Sequence, residues 1–308
     1  MDSPRESRID PAMVEAIGAL GNEQRLQILL ALAETTNDHQ DQWHAMSFTA
    51  LYEAVDIGST SQFSYHLSKL VGPFITETDD GYRLTYGGDK LVRGLRSGIY
   101  ESTTGFEERT VAGTCVFCET DALVAALENE LFVVRCTACE STLLTDSFPT
   151  SQERHRTPEE IIDSFGSRIW SSVVLLRGGV CPECYGPVDT AVDAHDHDHD
   201  HRTAYTHRST CEGCRFVIHL PLEVVAAFHP AAIGFLWEHG ISLFELTLWE
   251  MFAFIVNGQM RTRVRSLEPF DATVTLAVDG AGLELQFDET HSVSNVNPRS
   301  APATDRQH

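Results

Sequence analysis

The eight cysteines of this chain fall into four Cys-x-x-Cys pairs, and no other sequence feature constrains the fold as strongly. Two such pairs can supply the four thiolates of a tetrahedral zinc site. Residues 1–10 are too polar for a signal peptide, and disulfides are rare in a reducing cytosol. We therefore expect a cytoplasmic protein with two structural zinc ions, with redox dithiols and pairs that have lost metal as alternatives. The pairs are Cys115/Cys118, Cys136/Cys139, Cys181/Cys184 and Cys211/Cys214.

The stretch between the inner cysteines of neighbouring pairs is long enough for two β-strands. Residues 111–148 are predicted to form a first zinc ribbon, with strands near 122–127 and 131–135. Residues 179–220 are predicted to form a second ribbon, with strands near 187–192 and 203–209. Local pairing costs the least loop entropy, so each ribbon should close its own four-cysteine site, with exchange of knuckles as the less favoured arrangement. A zinc ion held by four cysteines has no open position, which favours a structural role.

A tract of alternating histidine and aspartate lengthens the second ribbon. It contains His195, His197, His199 and His201, and we expect it to be a polar loop at the hairpin tip. Alternating imidazoles and carboxylates could also hold zinc, nickel or copper, so adventitious or sensing metal binding is an alternative.

The rest of the C-terminal half is predicted to be mixed α and β. Thr157 and Glu160 form a capping box that begins a connecting helix over 157–178. Residues 221–290 should form helices near 222, 230–238 and 243–256, the last capped by Ser242 and Glu245, followed by strands near 260–265, 272–278 and 283–287. Four aromatic residues are expected in the core, and 291–308 is expected to be disordered. The aromatics are Trp237, Trp249, Phe252 and Phe254.

Residues 9–100 are predicted to form four helices, a β-hairpin and a final helix. Asn22 and Ser59 are suited to cap the second and fourth helices, and Phe63, Leu67 and Leu70 give the fourth a buried stripe. The hairpin turns at 79–81. This order of elements is typical of a winged helix-turn-helix, in which one helix enters the major groove of DNA. The expected fold class is therefore multidomain α+β, with a winged helix-turn-helix, two zinc ribbons and a C-terminal helical and β-hairpin segment.

Three segments resemble ArsR-like winged-helix regulators. Residues 20–29 (LGNEQRLQIL) are similar to the opening of such repressors, and residues 58–70 (GSTSQFSYHLSKL) look like their recognition helix. Residues 81–85 (GYRLT) resemble the wing of related archaeal proteins. Together with His229-Pro230 and 248–250 (LWE), the combination is similar to a group of regulators from halophilic archaea.

The resemblance implies both DNA contacts and a homodimer. Polar side chains of the recognition helix would lie near base edges or phosphates, and Arg83 would lie on the wing near the backbone. The helices near 9–20 and 89–97 would pair two chains on a palindromic site. The helix residues carried over by position are Thr60, Ser61, Gln62, Ser64, Tyr65 and Lys69.

The charge of the chain limits this interpretation. Lys and Arg number 22 against 45 Asp and Glu, giving a net charge of −23, so nonspecific attraction to nucleic acid or anionic lipid is unfavourable. Dispersed acidity of this kind is similar to that of proteins from salt-in halophiles. Residues 57–76 contain no Asp or Glu, so the predicted DNA face is spared the acidity of the chain, as are residues 164–182 and 251–267. No apolar run is long enough to span a bilayer.

The sequence thus predicts a DNA-binding transcriptional regulator whose C-terminal half binds a protein partner or a small effector. Two alternatives are a zinc-ribbon adaptor of the transcription machinery and a metal- or redox-responsive sensor. An enzyme is not expected, because the sequence contains no phosphate loop, nucleophile arrangement or open metal site.

Overall fold

A computed structural model describes residues 9–38, 45–101, 105–196 and 203–299. The chain divides after residue 102 into two units, each with its own hydrophobic core. None of the described helices has the length and apolar character needed to cross a bilayer.

The described part of the N-terminal unit consists of five helices and one hairpin. Side chains cap all five helices, since Asp10, Asn22, Ser47, Ser59 and Thr85 each accept a hydrogen bond from a backbone N–H of the first turn, as predicted for Asn22 and Ser59. The second helix continues to Asp38. The elements are α1 (Pro11–Leu20), α2 (Glu23–Asp38), α3 (Phe48–Glu53), α4 (Thr60–Leu70), β1 (Ile75–Thr78), β2 (Gly81–Leu84) and α5 (Tyr86–Ser97).

The core of this unit fixes the orientation of α4. Phe63, Leu67 and Leu70 are buried on one side of that helix, as the apolar spacing predicts. Burial of each such side chain contributes about 1.5–3 kcal/mol. The opposite side of α4 is therefore held towards solvent by the packing beneath it.

Within its described residues, the C-terminal unit contains three antiparallel sheets and four α-helices around a single core. The helices are α6 (Pro158–Arg177), α7 (Leu222–Ala227), α8 (Pro230–Glu238) and α9 (Leu248–Val256). The first sheet has the order β3 (Phe106–Val111), β4 (Leu123–Glu128), β5 (Leu131–Cys136), β6 (Thr142–Ser147). The second has the order β7 (Val188–Asp196), β8 (Thr203–Cys211), β9 (Val217–Pro221). The third has the order β10 (Met260–Leu267), β11 (Phe270–Val278), β12 (Ala281–Phe287), β13 (Val293–Arg299).

The predicted ribbon hairpins are present as β4–β5 and β7–β8, but each belongs to a larger sheet. Strands β3 and β6 extend the first, and β9 extends the second. Side chains from both sheets, the helices between and after them, and the third sheet pack into one cluster. The ribbons are therefore parts of a common unit.

Two predictions for the C-terminal end are wrong. The tail was expected to be disordered from residue 291, yet Val293–Arg299 form β13, paired with β12; residues 300–308 lie outside the described part of the chain. The last helix begins at Leu248, where Thr247 and Glu250 form the capping box, and 243–245 form only a 3-10 turn. The Trp170 indole N–H donates to the Leu246 carbonyl at 2.8 Å, which fixes this segment outside the helix.

The predicted aromatic core is correct for three of its four members. Trp249 and Phe252 are buried, and Phe254 packs against the core. Trp237 is 69% exposed, because α8 buries the side that carries Ala232 and Leu236. That orientation leaves Trp237 on the outer side of the helix.

Candidate functional sites

All four cysteine pairs adopt the same tight turn. The residue after each second cysteine has a positive φ: 58° at Glu119, 62° at Glu140, 61° at Tyr185 and 66° at Arg215. The first sulfur of each pair accepts a backbone N–H from within its own turn at 3.4 Å. The left-handed residue returns the chain to the strand, so both sulfurs of a pair point to the same side.

The turns bring the eight sulfurs together into two clusters, one in each ribbon. Cys115 lies 3.7 Å from Cys139 and Cys118 lies 3.6 Å from Cys136. The second cluster repeats this arrangement, with Cys181–Cys214 at 3.6 Å and Cys184–Cys211 at 3.5 Å. Within each cluster all sulfurs lie within 4.8 Å of one another. This grouping is the one expected from local pairing.

These sulfur separations fit a tetrahedral metal site. Four sulfurs at about 2.3 Å from a zinc ion are about 3.8 Å apart, whereas a disulfide requires about 2.05 Å. The eight cysteines are all free. The two clusters are therefore positioned to bind metal ions and are not oxidised pairs.

Hydrogen bonds within the turns favour ionisation of two of the thiols. Burial opposes ionisation of Cys136, but N–H groups of Cys139 and Ala138 direct their positive ends at its sulfur and lower its pKa to about 6. At Cys211 the N–H of Cys214 acts in the same way and lowers the thiol pKa to about 6. Thiolates are the ligands that metal ions require.

The surroundings of the two clusters differ. Cys115 and Cys136 belong to the main core, and Cys118 and Cys139 pack against it. In the second cluster Cys184 and Cys214 are exposed. A Cβ atom on Gly186 would lie 3.3 Å from the Cys184 sulfur, so the turn has little room beside that sulfur. The first cluster is tied to the core of the unit and the second lies nearer its surface.

The histidine tract lies partly within the described structure. His195 lies in β7, whose pairing with β8 extends to Asp196 opposite Thr203. Its Nε2 is 2.8 Å from the Thr206 hydroxyl. The strands thus continue into the segment predicted as a loop. His197, His199 and His201 lie outside the described residues.

The candidate DNA-contacting residues of α4 share its exposed side. Thr60, Ser61, Gln62, Ser64, Tyr65 and Lys69 are all exposed. Tyr65 is 57% exposed, and the Lys69 ammonium lies 5.9 Å from the centre of its ring. Arg83 lies in β2 opposite Thr76 and is half-buried.

Sequence reasoning missed a cavity of about 470 Å³ in the C-terminal unit. Edge strands β6 and β9 line it together with α6 and α9. Most of the lining is apolar, including Leu144, Ile169 and Phe252. Among the charged lining groups, Arg168 and Asp146 form an ion pair at 3.0 Å. No sequence motif indicates this cavity, because its walls come from segments far apart in the chain.

Glu223 also lines this cavity, and burial raises the pKa of its carboxyl group. A raised pKa means that the folded state favours the neutral acid, so stability is lost as pH rises above the ordinary carboxyl pKa of about 4.3. We expect Glu223→Gln to stabilise the protein by up to about 1 kcal/mol at neutral pH, because the amide removes a charge from a half-buried position. Thermal unfolding at constant salt should show this advantage growing from pH 5 to pH 8.

The exposed Glu238 provides a matched control. Glu238→Gln makes the same chemical change and should leave the unfolding temperature unchanged at both pH values. A Glu223→Gln variant that is less stable than the parent at pH 8 would show that the carboxylate is stabilised in the fold.

Comparison with known families divides the chain in the same way as the structure. A family described as a domain of unknown function (DUF7347) matches residues 13–95, and a second family with the same description (DUF7351) matches residues 112–293. No curated protein and no solved structure matches the chain significantly. The second match includes both cysteine clusters and covers more than half of the chain, which therefore belongs to the DUF7351 family.

Proposed function

We propose that this protein is a sequence-selective DNA-binding transcriptional regulator, with an N-terminal winged helix-turn-helix and a C-terminal zinc-containing unit. The observation that carries the proposal is the exposed side of α4. In a chain of net charge −23, residues 57–76 contain no Asp or Glu. This acid-free segment includes the whole of α4 and the turn before it.

The side chains of α4 suit base recognition in the major groove. Gln62 can form paired hydrogen bonds with adenine, and serine and threonine hydroxyls can bond to several base edges. Lys69 is suited to a phosphate. Phe63, Leu67 and Leu70 hold the opposite side of the helix in the core, so these polar groups are presented on a rigid element.

The hairpin after α4 is suited to be the wing. Its strands β1 and β2 pair from Ile75–Leu84 to Thr78–Gly81, which gives a short, closed hairpin. Arg83 lies on the second strand and is the candidate for a backbone contact.

The exposed apolar side of α1 supports the proposal of a homodimer. In a helix with one buried residue, Ala19, several large apolar side chains face solvent. Met13 and Val14 are each 59% exposed and Ile17 is 63% exposed, and Ile9, just before the helix, is 66% exposed. Pairing this side of the helix with a second copy would bury it and relate the two α4 helices by a two-fold axis.

Zinc is the metal proposed for both cysteine clusters, because four thiolates in a closed tetrahedron are its usual structural site. The ions would hold the two ribbon turns of each sheet together. The cavity of about 470 Å³ lies within the size range of small-molecule sites, about 300–1,000 Å³. It is the proposed effector-binding part of the C-terminal unit.

Selection of DNA from a random pool, in buffers from 0.2 to 3 M KCl, tests the proposal. We expect one enriched palindromic sequence that binds two chains. Because each base contact contributes about 1–3 kcal/mol, Gln62→Ala combined with Tyr65→Ala should weaken binding to that sequence by at least about tenfold. Electrophoretic mobility or fluorescence anisotropy in molar KCl measures the change.

Tyr86 provides the control, because it also is exposed and has a lysine four residues later, Lys90, whose ammonium is 5.4 Å from its ring centre. Tyr86→Ala should leave selective binding unchanged. Failure to enrich any sequence at any salt concentration would reject the regulator and favour a protein-binding adaptor. Selective binding that responds reversibly to chelation or oxidation, with the fold intact, would favour a sensor.

A further inference from the structure

A second, smaller cavity of about 180 Å³ lies in the C-terminal unit. It is bounded by the C-terminal end of α6, the inner side of β7 and β8, the segment between α7 and α8, and the turn before β13. Neither the cysteine clusters nor the larger cavity includes its polar lining residues. These are Arg177, Thr190, His207, Ser209, His229, His291 and Ser292.

The lining of this cavity is rich in hydrogen-bond donors. The Arg177 guanidinium carries a full positive charge and donates to the Phe228 carbonyl, which holds it in place. His229 Nδ1 accepts the Ala231 N–H at 3.2 Å, so the neutral ring carries its proton on Nε2, a donor. Thr190 and Ser209 add hydroxyl groups.

His207 lies at the buried end of the lining and is 8% exposed. Its Nδ1 lies 3.4 Å from the Ser209 hydroxyl. The neighbouring turn brings His291 close, with ring centres 6.5 Å apart, and the Thr190 hydroxyl lies 3.5 Å from His291 Nδ1. Buried polar groups in proteins usually have hydrogen-bond partners. These polar groups line a cavity, which is the space that a hydrogen-bonding ligand would occupy.

Among the described residues, the cavity is lined by a positively charged side chain and by no negatively charged one. None of the described residues that line it is Asp or Glu, although the chain contains 45 of them. No described carboxylate lies within ion-pair distance of Arg177. A permanent cation therefore borders the cavity without a counter-charge.

We propose that this cavity binds a small oxyanion, a phosphate or a carboxylate. At about 30 Å³ for each water molecule, its volume corresponds to on the order of six waters, which fits such an anion better than a drug-sized molecule. The Arg177 guanidinium can bond two oxygens of one anion. The His229 Nε2–H and the hydroxyls of Thr190 and Ser209 are available for the others.

A transition metal is the competing occupant, because three histidines line the cavity. Two features oppose it. Arg177 would repel a divalent cation, and among the described residues only the two cysteine clusters bring three or more ligand atoms within 4.8 Å of one another. The oxyanion therefore accounts for both the histidines and the arginine.

Isothermal titration of the full chain with inorganic phosphate and with acetate, at constant KCl, tests the proposal and distinguishes the two oxyanions. We expect saturable one-to-one binding of one of them. Arg177→Gln should weaken that binding at least about tenfold, since a hydrogen bond to a charged group is worth about 1.5–3 kcal/mol. Thr190→Val, which removes one hydroxyl at constant shape, should weaken it less.

Arg168→Gln is the matched control, because Arg168 lies on the same helix but is paired with Asp146 and lines the other cavity. It should leave binding unchanged. Equal losses in the Arg168 and Arg177 variants would overturn the proposal, as would saturation by neither oxyanion. Saturable binding of Ni²⁺ that is lost in His207→Gln and retained in Cys184→Ser would instead assign the cavity to a metal.

Discussion

Cys136→Ser is expected to unfold the C-terminal unit, whereas Cys184→Ser should leave most of it folded. Both variants remove one thiolate. Cys184→Ser should lower the metal content from two ions per chain to one, whereas Cys136→Ser should leave at most one, because unfolding of the unit also weakens the second cluster. The difference in stability arises from position. Cys136 is buried in the main core, while Cys184 is exposed in the second cluster.

The magnitudes support this contrast. A four-thiolate zinc site contributes about 10–16 kcal/mol of apparent binding free energy, and the whole stability of a domain is about 5–15 kcal/mol. Loss of even part of the first site therefore removes cooperative unfolding. Loss of the second should open the β7–β9 end locally, because its cysteines lie outside the core cluster.

Elemental analysis gives the metal content, and near-ultraviolet circular dichroism with calorimetry gives the fold. Ala138→Ser is the control, because it adds a hydroxyl to the exposed turn of the first cluster without changing a sulfur. It should retain two metal ions and the parental unfolding temperature. Equal unfolding in the Cys136 and Cys184 variants would show that both clusters support the core equally.

The best-predicted elements are those whose signals are local. Ser59 followed by Phe63, Leu67 and Leu70 indicates both the start and the buried side of α4, and the structure agrees. The capping box at Thr157 likewise locates α6. In each case one side chain bonds to the first turn and the apolar spacing matches a helix, so no distant contact is needed to decide the element.

Edge strands could not be predicted, because little of their surface is buried. β3 has the sequence FEERTV, and only its first residue is buried. β13 has the sequence VSNVNPR, in which Val293 and Val296 are the residues that pack against the core. Such segments show weak alternation, and their strand structure depends on pairing with a neighbour that the sequence does not reveal.

The cysteine clusters could be predicted from the sequence and the cavities could not, for the same reason. Each cluster is assembled from two local turns, so the spacing of its residues is visible in the sequence. The oxyanion cavity instead joins Arg177, His229 and His291, three residues that become neighbours only when α6, the α7–α8 segment and the third sheet pack together. None belongs to a motif.

Phe132→Ala and Phe63→Ala are expected to destabilise different units of the same chain. Phe132 is buried and stacks on Phe165 with ring centres 4.0 Å apart. Phe63 is buried in the N-terminal core, 5.0 Å from the ring centre of Phe48. Truncation of a buried phenylalanine costs about 3–5 kcal/mol.

Because the two cores are separate, each variant should move one of two calorimetric transitions and leave the other in place. The N-terminal unit is the smaller, and a loss of 1 kcal/mol lowers the unfolding temperature by about 4–8 °C for 60–100 residues but about 2–4 °C for 150–250 residues. Phe63→Ala should therefore produce the larger shift. Trp237→Ala, at a position that is 69% exposed, should change neither transition by more than about 0.5 kcal/mol. A single transition that shifts with both phenylalanine variants would instead mean that the two units unfold as one, and the stability of α4 would then depend directly on the core that contains the cysteine clusters.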